Sequence, residues 1–189
     1  MNLSARKTLQ KGFTLIELLV VIGILGILAA ALVATIDPFE QLKKGDDAKI
    51  KNMAVEFQTS LIRYYTTHGA FPWNDPGNSD TACTDLATSG IDPVALNDAG
   101  MTSCITNSLV AEGELKSAFT TNTADLAKVQ VNWDSGDGSN VAICFAPTSK
   151  SQKASPETIY DETGADNTGA PDSCPDASAA DGTCYWCTR

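Results

Sequence analysis

Two cysteines at the end of the chain, Cys184 and Cys187, have the C-x-x-C spacing found in redox-active pairs and in zinc sites. A redox pair is expected near the start of a helix, and a four-cysteine zinc site usually uses two such pairs. This chain has one C-x-x-C, and it lies at the extreme carboxyl terminus. Structural disulfides are therefore the favoured interpretation, and a thiol or metal-binding site is the alternative.

All six cysteines follow residue 80, at Cys83, Cys104, Cys144, Cys174, Cys184 and Cys187. An even number of cysteines confined to one region predicts disulfides made in an oxidising compartment, whereas free thiols would suit a cytosolic domain. Cys83 and Cys104 enclose a modest loop, so we expect them to bond to each other. The other four allow three pairings, of which we favour one that joins a predicted hairpin, described below, to the tail.

A short polar stretch, DSGDGSN, contains three oxygen-bearing side chains that calcium could use, namely Asp134, Asp137 and Asn140. Calcium prefers six to eight oxygen ligands, and the spacing here is not that of an EF-hand loop. A plain hairpin turn is therefore the favoured interpretation of this stretch, and a calcium site is the weaker one.

Enzyme motifs are not found in the sequence: it has no G-x-S-x-G, no phosphate-binding loop and no H-E-x-x-H. The only histidine, His68, falls in the last turn of a predicted helix, where a cation suits the helix dipole. We therefore expect a protein that is not an enzyme and that carries no cofactor.

Four aromatic residues in the second part of the chain are candidates for an adhesive surface or, preferably, for the core: Trp73, Trp133, Tyr185 and Trp186.

An acidic residue, Glu17, lies inside a run of 24 otherwise uncharged and mostly apolar residues, Phe13 to Ile36. About 20 apolar residues are enough for a helix to span a bilayer, and a charged side chain inside such a span is costly and usually functional. The segment before the run carries three basic residues and no acid, namely Arg6, Lys7 and Lys11. This asymmetry predicts a single-pass anchor in the cytoplasmic (inner) membrane with its amino terminus in the cytoplasm. The run is too long for an ordinary secretory signal.

The segment KGFTLIELLVVIGILGILAA, residues 11–30, resembles the processing and methylation segment of type IV prepilins and type II secretion pseudopilins. Those proteins have a short basic leader that ends in Gly, then Phe, then Glu as the fifth residue of the mature chain. Gly12, Phe13 and Glu17 match at each step. The motif is specific, while the rest of the chain agrees with the family only in general plan.

The resemblance implies that a membrane-embedded prepilin peptidase cuts between Gly12 and Phe13, and that the new amine of Phe13 is methylated. It also implies an assembly role for Glu17, whose carboxylate would pair with the Phe13 amine of a neighbouring subunit and fix its axial register. The alternative is that Glu17 pairs with the Phe13 amine of its own chain, one helical turn away.

After the apolar run, Asp37 and Pro38 predict that the helix breaks or kinks and restarts, because Asp suits an N-cap and Pro the first helical position. Glu40 lies three residues after Asp37, the position at which a capping box has an acid.

Apolar residues then recur at helical spacing and predict an amphipathic helix that covers a sheet: Ile50, Met53, Ala54, Phe57, Leu61, Tyr64 and Tyr65. Charged residues on the same segment are expected to form a solvated face: Lys43, Lys44, Asp46, Asp47, Lys49 and Lys51. Gly69 predicts the end of the helix.

From residue 70 onward the composition shifts to Asp, Asn, Ser, Thr, Gly and Pro. The clearest elements are the two strands of a hairpin, near 128–133 and 140–146, with short helices near 103–110 and 114–119 and a last strand in the tail. The predicted fold is α+β and pilin-like, a long amino-terminal helix packed on a small antiparallel sheet. Its predicted parts are a leader (1–12), a membrane-spanning or filament-core helix (13–36), an amphipathic second half (37–69) and a disulfide-braced head (70–189).

Charge is unevenly distributed along the chain. Residues 1–69 contain 8 Lys/Arg and 6 Asp/Glu, a net charge of +2, whereas residues 70–189 contain 5 Lys/Arg and 17 Asp/Glu, a net charge of −12. So acidic a head repels phosphate, and we expect no direct binding to nucleic acid.

These features together predict a structural subunit of a type IV pilus or a similar filament. Its expected partners are other pilins, the prepilin peptidase, the inner-membrane assembly machinery and, before assembly, membrane lipid; its final place is an extracellular filament. A type II secretion pseudopilin is the nearer alternative, and a membrane-anchored thiol or metal-binding protein the more distant one. The six cysteines and the lack of an evident calcium pattern favour the pilus.

Overall fold

The computed structural model describes residues 12–35, 37–88, 93–133, 140–169 and 174–189. The leader as far as Lys11, Ile36 and two of the calcium candidates, Asp134 and Asp137, lie outside the described residues. The chain divides into two compact units, Met1–Phe39 and Glu40–Arg189. Each unit is described separately below.

The first unit contains helix α1, Leu15–Thr35, which has 21 residues. At 1.5 Å per residue a helix of this length measures about 30 Å, close to the thickness of the hydrocarbon core of a bilayer. Leu15–Val33 is long and apolar enough to cross a membrane, and none of it is buried within the structure. Large apolar side chains on every side of α1 are exposed.

Helix α2, Pro38–His68, has 31 residues and starts and ends where the sequence predicts. The Asp37 carboxylate accepts a hydrogen bond from the Phe39 N–H at 3.1 Å, as an N-cap does. At the other end, Gly69 takes a positive φ of 73°, and its N–H donates to the Tyr65 carbonyl at 2.8 Å. The left-handed conformation at this C′ position favours glycine, which ends the helix.

Four short antiparallel strands form one sheet in the order β1-β2-β3-β4. They are Val94–Ala95, Val129–Trp133, Val141–Phe145 and Trp186–Thr188. Strands β2 and β3 form the predicted hairpin, and β4 is the predicted strand of the tail. The two-residue strand β1, paired through Val94 and Val131, was not predicted.

The core lies between α2 and this sheet. Ile50, Ala54, Phe57, Leu61 and Tyr64 of α2 are at most 2% exposed, and they belong to one buried cluster with the inward side chains of the strands. The cluster includes Val129, Val131, Ile143 and Phe145. The structure therefore confirms the α+β, pilin-like fold, in which the amphipathic stripe of α2 packs on a small antiparallel sheet.

The four aromatic candidates for an adhesive surface are buried instead: Trp73, Trp133, Tyr185 and Trp186 are at most 8% exposed. Trp73 and Trp133 pack against each other with ring centroids 5.0 Å apart. The adhesive interpretation of these residues is therefore wrong, because a small head needs its large apolar side chains for the core.

Short helices fill the segments between the strands. They are α3 (Thr81–Thr84), α4 (Ala99–Cys104), α5 (Thr123–Leu126) and α6 (Lys150–Lys153). Helix α4 continues into a π-helical turn, Ile105–Val110, and a 3₁₀ turn spans Ser117–Thr121. The last two correspond to the helices predicted near 103–110 and 114–119, with shifted bounds.

Three disulfides brace the second unit, and they use all six cysteines: Cys83–Cys104, Cys144–Cys187 and Cys174–Cys184. The first joins α3 to α4. The second links directly paired residues of β3 and β4, so it ties the hairpin to the tail. The first bond is the pairing expected from the sequence, and the second agrees with the expectation that a disulfide joins the hairpin to the tail. The third closes a loop within the tail.

Candidate functional site

The residues of the predicted processing site precede α1. Phe13 is 90% exposed, and a side chain added at Gly12 would meet no atom within 4 Å. The described residues thus leave the Gly12–Phe13 peptide bond accessible. Within the folded chain, nothing in the described structure requires glycine at position 12.

Thr14 and Glu17 form a reciprocal cap at the start of α1. The Glu17 Oε2 atom accepts hydrogen bonds from both the backbone N–H and the hydroxyl of Thr14, each at 2.8 Å. In return the Glu17 N–H donates to the Thr14 hydroxyl oxygen at 3.3 Å. This is the capping box, in which an N-cap Thr and an acid three residues later satisfy each other's backbone groups.

The signature of this capping box, T-x-x-E, stands in the sequence as Thr14-Leu15-Ile16-Glu17, but it is not among the features predicted above. The predicted partner of the Glu17 carboxylate is the cleaved amine of Phe13. In the uncleaved chain the partner is Thr14, and both of its hydrogen bonds go to one oxygen, Oε2. A carboxylate offers about four acceptor positions, so the side chain retains capacity for a further donor such as an ammonium group.

The surface around this cap is apolar. Leu15 is 82% exposed, Ile16 68% and Leu18 63%, and the exposed apolar side chains continue along α1 as far as Val33. So large an apolar surface is stable only when lipid or other protein covers it. A carboxylate at its amino-terminal end can therefore act on a second apolar helix that carries a positive charge.

His68, the only histidine, lies in the last turn of α2 as predicted. Its ring stacks on that of Tyr64 with centroids 4.0 Å apart, and its Nε2 lies 3.2 Å from Glu112 Oε1. Both rings line a polar cavity of about 260 Å³, with Asp75 and Ser108 at its wall. Burial raises the pKa of the Tyr64 hydroxyl, and its hydrogen bond to Asp75, at 2.7 Å, raises that pKa further.

The candidate thiol site is not present. Cys184 bonds to Cys174 and Cys187 to Cys144, so the two residues of the C-x-x-C are not partners of each other. No free cysteine remains among the six. A redox or zinc role for Cys184 and Cys187 is therefore wrong, because each sulfur is bonded to a different cysteine: Cys187 to its β3 neighbour Cys144, and Cys184 to Cys174 within the tail.

The calcium candidates receive no support. Asn140 is exposed, and the other two candidates lie outside the described residues. In the part of the chain that the structure describes, no group of three His, Cys, Asp or Glu side chains is arranged to hold a metal ion.

Comparisons with known proteins bear on the same segment. A family model described as a prokaryotic N-terminal methylation motif matches residues 7–33. A fimbrial protein of Neisseria meningitidis (serogroup A) is 28% identical over 182 residues, which cover 92% of this chain and 98% of that protein. The fimbrial protein EcpC of Eikenella corrodens is 30% identical over 114 residues, covering 58% of this chain and 69% of that protein. The chain belongs to the type IV pilin family.

A further relative, the type IV major pilin protein PilE1 of Neisseria gonorrhoeae, is 37% identical to this pilin over 79 residues, or 42% of the chain and 36% of that protein. No solved structure matches the chain significantly. The relatives are named as fimbrial and pilin proteins. The family is thus one of structural subunits rather than enzymes, and its prepilin motif and apolar helix fit a membrane-anchored pilin.

Proposed function

We propose that this pilin is made as a membrane-anchored precursor, is processed between Gly12 and Phe13, and then polymerises through α1 into an extracellular filament. The single observation that carries the proposal is the methylation motif at residues 7–33, which begins in the leader and extends through most of the apolar helix α1. The leader and its basic residues keep the amino terminus in the cytoplasm, while the disulfide-bonded head is exported.

Processing creates the group that assembly needs. When the peptidase cuts after Gly12, the amine of Phe13 becomes a positive charge at the end of an apolar helix, and we expect it to be methylated. A small residue before the cut lets the peptide enter a tight active site, which is the role we assign to Gly12. Before the cut, the nitrogen of Phe13 belongs to a peptide bond and carries no positive charge.

The Glu17 carboxylate is the residue that we propose to select that amine. In lipid or in a packed bundle of apolar helices, a carboxylate without a cationic partner is costly, so a neighbouring Phe13 amine is strongly preferred at this position. The apolar packing of α1 is non-directional, whereas a charge pair fixes one axial position. Glu17 would thus set the register between subunits, with the Thr14 cap holding one of its oxygens.

The names of the relatives favour a pilus subunit over a type II secretion pseudopilin, since fimbrial and major pilin proteins head the matches. The partners that follow from the proposal are other pilin subunits, the prepilin peptidase and an assembly machinery in the inner membrane. Lipid covers α1 until assembly.

A Glu17→Ala variant tests the assembly step. We expect the protein to be made, cleaved, disulfide-bonded and held in the membrane, while the yield of filaments sheared from the cells falls at least about ten-fold, because the docking charge pair is lost. Filament yield is measured against the membrane pool of the same cells. Glu56→Ala, which removes an exposed acid of α2, is the matched control and should assemble normally. Normal filaments made only of Glu17→Ala subunits would refute the docking role.

A further inference from the structure

The amino-terminal part of α2 is held to the head differently from the rest of the helix. Residues 41–46 are exposed, whereas the residues from Ile50 onward that face the sheet are buried in the apolar core. Two acidic side chains of this part, Glu40 and Asp47, accept hydrogen bonds from the head. They are seven residues apart, which puts them two turns apart on the same side of the helix.

Asp47 is 5% exposed and accepts hydrogen bonds from two consecutive residues of the segment that follows β3. Its Oδ1 accepts from the Thr148 N–H and hydroxyl, both at 3.0 Å. Its Oδ2 accepts from the Ser149 N–H at 2.8 Å and from the Ser149 hydroxyl at 2.6 Å. The expectation that Asp47 lies on a solvated face is therefore wrong, because its partners are 101 and 102 residues away along the chain.

Glu40 extends the same contact by one residue. Its Oε1 accepts the N–H of Lys150 at 2.5 Å. Three successive backbone N–H groups, those of Thr148, Ser149 and Lys150, thus donate to two carboxylates of one helix. We call these five residues the carboxylate latch.

The bonds of the latch depend on one another. Four donors together satisfy the buried Asp47 carboxylate. If some of these hydrogen bonds break, the carboxylate is left buried and only partly satisfied, so the free energy of the closed arrangement rises. The chain also passes directly from Ser149 to Lys150, so a movement that breaks one contact displaces the next. The latch is therefore expected to open as a unit.

Opening the latch exposes little apolar surface. A further contact of this part of α2 with the head is the Asp46–Lys128 pair at 3.5 Å, whose side chains are 62% and 46% exposed. An exposed pair of this kind contributes little. Segments held by few apolar contacts open at a lower free energy than the core of the same protein.

We propose that the carboxylate latch is a conformational device that opens cooperatively, before the sheet unfolds, and releases residues 40–47 of α2 from the head. Its two carboxylates lie near the start of α2, soon after the apolar segment ends. It goes beyond the proposed function, because it concerns the folded chain itself and stands whether or not the chain polymerises.

Amide hydrogen exchange of the full chain in detergent micelles, followed residue by residue by NMR, tests this proposal. In the unaltered protein the amides of Thr148, Ser149 and Lys150 should share one opening constant, at least about ten-fold larger than that of the slowest amides of β2 and β3. Glu40→Gln removes the carboxylate that accepts the Lys150 N–H. Cooperative opening predicts that all three amides then exchange faster by a similar factor, roughly ten-fold.

Two controls complete the test. Glu56→Gln, on the same helix, should change the exchange of the three amides less than about two-fold. Asp47→Asn should likewise accelerate Lys150, which Asp47 does not contact. An effect of Glu40→Gln on Lys150 alone would show independent contacts and overturn the proposal. So would exchange of the three amides as slow as that of the sheet, because the latch would then open only on global unfolding.

Discussion

At the scale of single residues, Thr14 provides the Glu17 carboxylate with hydrogen-bond partners from its own chain. The hydrogen bonds from the Thr14 N–H and hydroxyl, at 2.8 Å each, mean that the carboxylate is already partly satisfied within its own chain. A charge that a capping box partly satisfies enters an apolar environment at lower cost than a bare one. A neighbouring Phe13 amine therefore needs to add one charged partner to the two hydrogen bonds that Thr14 already donates to Glu17.

Gly12 can be tested against another glycine of the same chain. A Cβ added at Gly12 or at Gly45 meets no atom within 4 Å, so we expect neither substitution to clash with the rest of the folded chain. We expect Gly12→Val to block the peptidase and to accumulate a precursor that keeps its 12-residue leader, while Gly45→Val matures normally. Gel mobility and the mass of the intact protein distinguish the two forms. Normal maturation of Gly12→Val would contradict the assigned cleavage site.

Sequence patterns indicated some of these residues and missed others for definite reasons. Gly12, Phe13 and Glu17 belong to a short contiguous motif, so their proposed roles can be read from neighbouring letters. Thr14 also lies in that motif, and its T-x-x-E spacing to Glu17 is a local signal from which the cap could have been predicted. Asp47 was misplaced because its partners Thr148 and Ser149 follow a hairpin more than a hundred residues later, and no local pattern records such a contact.

At the scale of elements, length decided what could be predicted. Helix α2 and the β2–β3 hairpin are long enough for the 3.6- and two-residue periods to show, and the structure has both. The two-residue strand β1 and the four-residue helices α3, α5 and α6 contain too few positions for any period. Their places depend on tertiary contacts, among them the disulfide that joins α3 to α4.

The disulfides of the tail allow a prediction about stability. Cys144–Cys187 closes a separation of 43 residues and Cys174–Cys184 one of 10. In the chain-entropy model, removing the first should lower the free energy of unfolding by about 4 kcal/mol and removing the second by about 3 kcal/mol. Paired Cys→Ala variants of the full chain, unfolded with urea, provide the comparison. A larger loss from the shorter loop would show that strain or local packing, not loop entropy, dominates.

Asp80, the N-cap of α3, couples that helix to α4 and to the π-helical turn after it, and makes stability depend on pH. Its carboxylate accepts from the Ser103 hydroxyl at 2.6 Å and from the Asn107 side-chain amide at 2.9 Å. These bonds, the Ser103 bond foremost, lower the pKa of Asp80 below its ordinary value of 3.8. Because the folded pKa is lower than the unfolded one, the stabilisation is complete above about pH 5 and is lost as the pH falls through about 4 toward the folded pKa.

An Asp80→Asn variant tests this coupling. Its thermal midpoint should be lower than that of the unaltered protein near neutral pH, because an amide accepts these hydrogen bonds more weakly than a carboxylate. The difference between the two proteins should shrink as the pH is lowered from about 5 to about 2. Melting curves followed by circular dichroism across this range measure both trends. A difference that stays constant with pH would contradict the assignment of the shift to Asp80.

At the scale of the whole molecule, the chain combines an apolar helix with an acidic head. The head, residues 70–189, has a net charge of −12, so heads that are brought together in a filament repel one another. Attraction must then come from α1, which exposes apolar side chains on every side. This division of roles could be predicted from hydropathy and charge alone, whereas the order of the strands and the interior of the head needed the structure.

The central claim is that this pilin is cleaved before Phe13 and becomes part of a filament. The most direct measurement is mass spectrometry of filaments sheared from cells that express the chain, with sequencing of the amino-terminal peptide of each subunit. We predict that the filaments contain this chain and that it begins with an N-methylated Phe13, followed by Thr14 and intact Glu17. Filaments that lack the chain, or a chain that stays in the membrane with its leader attached, would contradict the account.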